Sequence, residues 1–87
     1  MRTPVRKARL RAAMDALGCA LYDAEHGFTE YTAPLRAASW AELCAMTAHR
    51  WDVAAALRVA MEHIAVSNMA SAREAFNKAD AMMENGR

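Results

Sequence analysis

The stretch that decides the fold is residues 39–66, SWAELCAMTAHRWDVAAALRVAMEHIAV. Its first residues, Ser39 to Glu42, match a capping box, in which the serine bonds forward and the glutamate bonds back. Its larger apolar residues then recur at helical spacing and form one narrow stripe: Leu43, Met46, Val53, Leu57, Met61 and Ile64. The stretch therefore predicts one amphipathic helix from about residue 40 to Val66.

The same helix carries a second apolar flank, which is rotated away from the first. It consists of Trp40, Cys44, Thr47, Trp51 and Ala55. A chain of 87 residues has few elements with which to cover both flanks. Two interpretations follow: both tryptophans pack in the core, or Trp40, Cys44 and Trp51 form an interface with a protein partner or a second copy.

On the N-terminal side, a stripe at helical spacing predicts a first helix: Leu10, Met14, Leu17 and Leu21. Thr3-Pro4 supplies an N-cap and a first-turn proline, and Gly27 suits the left-handed residue that ends a helix. Residues 28–38 are expected to form a connection with about one helical turn from Thr32 or Ala33. Three apolar residues would anchor this connection: Phe28, Tyr31 and Leu35.

On the C-terminal side, Ser67-Asn68 predicts a break, and Ser71 with Glu74 forms a second capping-box pattern. A last helix then carries Ala72, Ala75, Phe76, Ala79 and Met83. The alternative is one unbroken helix over residues 40–84, because heptad spacing continues across Ser67-Asn68. We prefer the break, because the stripe changes phase before it and helices of that length are rare in small domains.

Residues 56–79 resemble the helix-turn-helix unit of the tetratricopeptide repeat. Phe76 takes the aromatic position, and small or apolar residues stand at four others: Val59, Ala60, Ala72 and Ala79. The sequence departs from the repeat at Ala56, His63 and Glu84, and the resemblance covers one unit where about three are needed for stability. It implies a helical hairpin, and we infer no family from it.

Composition supports the same fold class. The chain is 55% hydrophobic but only 7% aromatic, so alanine, the best helix former, supplies much of the apolar content. No stretch alternates apolar and polar residues with period two, as a half-buried strand would. We predict one all-α domain over residues 1–87, a small bundle of three to four helices whose C-terminal pair forms an antiparallel hairpin.

Charge is unevenly distributed along the chain. Residues 1–11 contain five basic residues and no acid: Arg2, Arg6, Lys7, Arg9 and Arg11. Since the chain has 11 Lys and Arg and 10 Asp and Glu, the rest carries six basic and ten acidic residues. This basic N-terminal arm could bind nucleic-acid phosphates, bind an acidic protein surface, or only add solubility.

The sequence gives no support for catalysis or metal binding. His49, Asp52 and His63 share a polar helix face, but the two histidines would lie about 21 Å apart along the axis, too far for one ion. Cys19 and Cys44 have no histidine near them in sequence to activate a thiolate. No phosphate loop or hydrolase motif occurs. We predict no enzyme activity, no metal and no cofactor.

These observations predict a non-enzymatic helical protein-binding module. It would act as an adaptor or inhibitor that covers a surface on a larger macromolecular complex, alone or as a homodimer, and such chains are often phage or plasmid accessory proteins. The alternative is a small nucleic-acid-binding or regulatory protein that uses the basic arm. The two cysteines form no CxxC motif and suit a reducing cytoplasm. Asp15 argues against an export signal, and no apolar run is long enough for a membrane span.

Overall fold

The computed structural model describes residues 2–28, 30 and 32–85, and the side chains of these from residue 5 to residue 84. It contains four helices: α1 (Arg2–Glu25), α2 (Thr32–Thr47), α3 (Trp51–Ala65) and α4 (Met69–Asn85). No strand occurs in the described part of the chain. The all-α helical bundle that the sequence predicts is confirmed, with the C-terminal pair α3 and α4 packed together.

Consecutive helices pack against each other, whereas α1 and α4 touch only lightly. Arg11 near the start of α1 reaches Asp80 near the end of α4, and Arg73 near the start of α4 reaches Glu25 at the end of α1. Helices α1 and α4 are therefore antiparallel. The bundle is 40 Å long and about 18 Å wide, and its two ends differ in which helices begin there. We call the end at which α1 and α3 begin the basic end, and the opposite end the acidic end.

The core is formed by the stripes that the sequence predicts in α1 and α3. Leu17, Leu57 and Ile64 are buried as expected, and the other large buried residues are Leu10, Met14, Leu21 and Val53. Alpha-4 adds Phe76, whose ring packs over Gly18 so closely that a Cβ at Gly18 would lie 3.2 Å from it. The glycine in α1 thus allows this close approach between two helices.

The prediction of one helix from residue 40 to Val66 is wrong, because the chain turns between Thr47 and Trp51. The three turns of the bundle share one hydrogen-bond pattern, the Schellman motif, with its central residue in the left-handed conformation: Gly27 (φ 74°), His49 (φ 60°) and Ser67 (φ 61°). Glycine, the usual residue there, occupies only the first turn. Histidine is not a residue that usually ends a helix, so the sequence around His49 did not indicate this turn.

Several local expectations also change. Ser39 lies inside α2, which begins at Thr32, so the predicted connection is mostly helix. Ser71 lies inside α4, whose cap is Asn68, since the Asn68 side chain accepts a hydrogen bond from the Ser71 amide (3.3 Å). The expected Thr3 cap and the Tyr31 anchor fall outside the described residues and side chains.

Phe28 is not a buried anchor either. It is exposed at the acidic end, where its ring stacks on His26 (5.9 Å between centroids). His26 in turn stacks on Tyr22 (4.0 Å). The Schellman motif at Gly27 turns Phe28 back along the last turn of α1, and the aromatic contacts form on the surface of that turn. Leu35 does pack against the core.

Candidate functional site

Helix α2 buries small side chains and exposes large apolar ones, the reverse of what is usual for a helix in a bundle. We call this arrangement the inversion of α2. Its buried residues are small or compact: Pro34, Ala38, Ala41, Cys44 and Ala45. Its large apolar residues point to solvent, with Trp40 51% exposed, Leu43 53% exposed and Met46 also exposed. Small side chains allow close packing between helices, and α2 packs against both α1 and α3.

The exposed residues form a continuous surface. Trp40, Leu43 and Met46 recur every three residues, so they lie along one side of the helix. Together with Arg36 and Ser39 they line one shallow groove, and we call these five residues the α2 face. Glu42 borders the groove on the side of α3, where its carboxylate accepts a hydrogen bond from Arg58 (2.8 Å). Arg36 makes no ion pair with any described residue.

The structure divides the predicted interface residues. Cys44 is only 3% exposed and faces the core, and burial raises the pKa of its thiol although Arg9 nearby partly opposes the shift. Cys44 is therefore not a surface contact, contrary to the prediction. Trp40 and Trp51 are both exposed but stand on different helices, since the turn at residues 48–50 separates them. Trp51 begins α3, where its ring meets His49 edge-on (6.2 Å).

Sequence reasoning missed Leu43 and Met46 as surface residues. Both were assigned to the core stripe because they continue the period of Val53 and Leu57 in an unbroken helix. Once the chain turns at His49, the orientation of α2 is independent of that of α3. A left-handed histidine has no strong sequence signature, so local pattern alone could not reveal the change of face.

The predicted basic arm is helical. Alpha-1 begins at Arg2, and Leu10 is the first deeply buried residue among those whose side chains the structure describes, so residues 5–9 contribute little to the core. We call residues 5–9 of this segment the basic overhang. Lys7 and Arg9 are exposed and Arg6 is half-buried, and none forms an ion pair with a described residue. The Arg2 side chain lies outside what the structure describes.

Arg11 does not belong with these free cations, contrary to the prediction. Its guanidinium donates to Asp80 (2.6 Å), lies 3.2 Å from Asp15, and lies 3.9 Å from Glu84. The hydrogen bond to Asp80 is the main cause that raises the pKa of Arg11 further. Since Asp80 and Glu84 are on α4, this group ties the two outer helices together and serves the fold.

A second arginine, Arg50, is half-buried and stabilises the turn between α2 and α3. The Arg50 guanidinium donates to the Met82 carbonyl of α4 (2.9 Å) and to the Asp52 carboxylate (3.2 Å). The hydrogen bond from Arg50 lowers the pKa of Asp52. The contact with Met82 joins the α2–α3 turn to the last turn of α4. The hydrogen bond from Arg50 to Met82 thereby holds the turn at His49 against α4.

Among the described residues, no group of three or more His, Cys, Asp or Glu is placed to hold a metal ion. None of the described helices is both long enough and apolar enough to cross a membrane. Comparisons with protein-family models, with curated proteins and with solved structures find no match to this chain. The α2 face and the basic overhang are the two candidate binding surfaces.

Proposed function

We propose that the protein is a non-enzymatic helical module that binds another protein through the α2 face. It would act as an adaptor or inhibitor that covers a surface on a larger macromolecular complex, in the cytoplasm, where both thiols stay reduced. A role as a phage or plasmid accessory protein fits its size. The inversion of α2 is the observation that carries the proposal, because three large apolar side chains are exposed while alanines of the same helix are buried.

The residue types on this face suit protein binding. Tryptophan is enriched among the residues that dominate binding energy, and methionine adapts its flexible side chain to irregular partners. Burial of a leucine-sized side chain contributes about 1.5–3 kcal/mol, so three such side chains give a partner a sizeable apolar contribution. Arg36 at one end of the groove offers a free cation to an acidic or carbonyl group on the partner.

Exposure of apolar side chains is common on proteins, and single exposed residues need no explanation. Val66, for example, is exposed at the end of α3 without forming a described groove. The α2 face differs because its apolar residues adjoin one another and because the same helix has small residues that could have stood outside. A contiguous exposed apolar surface of this kind often marks a site of protein interaction.

Capture from a lysate of the native host tests the proposal. Tagged protein would be compared with a Leu43→Glu variant and with Val66→Glu, a matched control at an exposed valine away from the face. We expect the parent and the control to retain the same proteins by mass spectrometry, and Leu43→Glu to lose them at unchanged helix content. Equal capture by all three would place the binding surface elsewhere.

A second candidate is nucleic-acid binding through the basic overhang. Its support is that Arg6, Lys7 and Arg9 have no acidic partner among the described residues, although Arg11 one turn later has three. Binding of this kind weakens steeply with salt, because each phosphate contact releases a counterion. A protein bait retained by apolar contacts would respond weakly to salt.

Two double variants that each remove two positive charges give a matched comparison for this test. Lys7→Gln with Arg9→Gln removes two overhang charges, and Arg36→Gln with Lys78→Gln removes two exposed charges elsewhere. If the overhang binds phosphates, only the first pair reduces retention on single- or double-stranded DNA or RNA, and it lowers the salt slope by about two. Equal behaviour of both pairs would leave only a general charge effect.

A further inference from the structure

Among the described residues, most charged side chains without an ion pair lie toward one or the other end of the bundle. At the basic end are Arg6, Lys7 and Arg9, which form no ion pair with described residues. At the acidic end are four carboxylates that also have no described partner: Asp23, Glu30, Glu62 and Glu74. In the described part of the chain, Arg36 is the arginine near them without an ion pair, since Arg73 is bound to Glu25.

The positive charge of the basic end lies partly on the side of α2. Arg9 is close enough to Cys44 of α2 to affect the pKa of its thiol. The carboxylates around Arg11, by contrast, include Asp80 and Glu84 of α4, on the other side of α1. At the acidic end, Glu30 directly precedes α2 and Glu62 lies on the neighbouring helix α3. Charge of opposite sign therefore stands at the two ends of the α2 side.

We propose that a second copy of this chain occupies the α2 face, with the two α2 helices antiparallel about a two-fold axis near Leu43. This rests on the proposed function, because it takes the α2 face as a protein-binding surface and names its occupant. An antiparallel pair brings the basic end of each copy beside the acidic end of the other. The charges are thus self-complementary, as a two-fold interface requires.

The same arrangement matches the apolar residues. Leu43 lies midway between Trp40 and Met46, so a two-fold axis at Leu43 places Trp40 of each copy against Met46 of the other. Sulfur–aromatic contacts of this kind are favourable. The same axis places Arg36 of one copy opposite Arg50 of the other, where the carboxylate of Asp52 balances the charge of Arg50. This pair of arginines lies outside the apolar centre of the contact.

The size of the surface is also sufficient. A stable protein interface buries roughly 800 Å² per partner. One long side of a bundle 40 Å long and 18 Å wide is about that large. An antiparallel pair can use this whole side, since the flanking helices α1 and α3 come close on both edges of α2. A contact confined to the end of the bundle would be far smaller.

Sedimentation of the purified full chain over a range of concentrations tests the proposal. We expect a reversible dimer for the parent and for Val66→Glu, and a monomer for Leu43→Glu with unchanged circular dichroism. Salt should weaken the parental dimer, and Lys7→Gln with Arg9→Gln should reduce that dependence. A parent that remains a monomer at all concentrations would overturn the proposal. If Leu43→Glu then still abolishes capture from a lysate, the proposed function stands with a different protein as occupant.

Disulfide trapping tests the two-fold axis itself. In a background of Cys19→Ser and Cys44→Ala, Leu43→Cys should form a disulfide-linked dimer on mild oxidation, because a residue on the axis lies beside its own copy. Arg36→Cys is the control on the same face. It lies seven residues away, about 10.5 Å along the helix, so its two copies would be about 21 Å apart and should not link. Efficient linkage at residue 36 and none at residue 43 would refute this axis.

Discussion

Helices α2 and α3 come from one continuous stretch of sequence with one apolar period, yet they differ in the largest residues that they bury. Alpha-3 buries Val53, Leu57 and Ile64 together with three alanines, although Trp51 at its start and Val59 are exposed. Alpha-2 buries alanines and exposes Trp40 and Leu43. The difference teaches that hydrophobicity alone does not choose the buried face of a helix with two apolar flanks. In α2 the flank of small side chains is the one that packs against the neighbouring helices.

The largest expected effect separates a core leucine from a surface leucine. Leu57→Ala should lower the free energy of unfolding by about 2–4 kcal/mol, because it leaves a cavity in the core. Leu43→Ala removes the same atoms from a half-exposed site and should cost below about 1 kcal/mol. Urea denaturation at low protein concentration measures both. Similar losses at the two sites would mean that α2 buries Leu43 and that the comparison with α3 is wrong.

A medium effect is expected at the turn that separates the two helices. His49 has a positive φ, which costs a residue with a Cβ roughly 1 kcal/mol, so His49→Gly should stabilise the protein by about 0.5–1 kcal/mol. Ala55→Gly within α3 is the control and should destabilise by about 1 kcal/mol. Thermal and urea denaturation give the sign. A loss of stability for His49→Gly would instead favour an unbroken helix through residues 48–50.

The smallest expected effect on stability concerns Cys44, on the buried side of α2. Cys19 is exposed and Cys44 is buried, so a thiol reagent should modify Cys19 quickly and Cys44 only after denaturant is added. Burial raises the pKa of the Cys44 thiol, so the folded state favours its neutral form. The stability from this group is present below the unfolded-state pKa and is lost as the pH rises through the folded-state pKa.

A Cys44→Ala variant sharpens that measurement. It should keep the fold and show a shallower loss of stability between neutral and alkaline pH than the parent. Cys19→Ala is the control and should follow the parental pH profile. Fast modification of both thiols in the native protein would show that the inner side of α2 is open to solvent, and the inversion of α2 would then be incorrect.

Part of this molecule follows from local sequence. The stripe of α1, the stripe of α3, the left-handed Gly27 and the break at Ser67-Asn68 were all predicted, because helical period and turn residues act over only a few positions. Exposure of both tryptophans contradicts the interpretation that they pack in the core, and their role in an interface stays a prediction. That Cys44 lies inside and Leu43 outside was not predicted, since both flanks of α2 are apolar.

The sequence by itself determined that the chain is helical, where most of its helices end, and that it has more apolar helix surface than a short bundle needs. Only the tertiary structure decided which surface remains outside. The left-handed turn at His49 is followed by Arg50, which binds the carbonyl of Met82, 32 residues away. Arg11 is not one of the unpaired cations of the basic arm, because it binds Asp80, 69 residues away. Partners so distant in sequence leave no local pattern, because their contact exists only after the helices have packed.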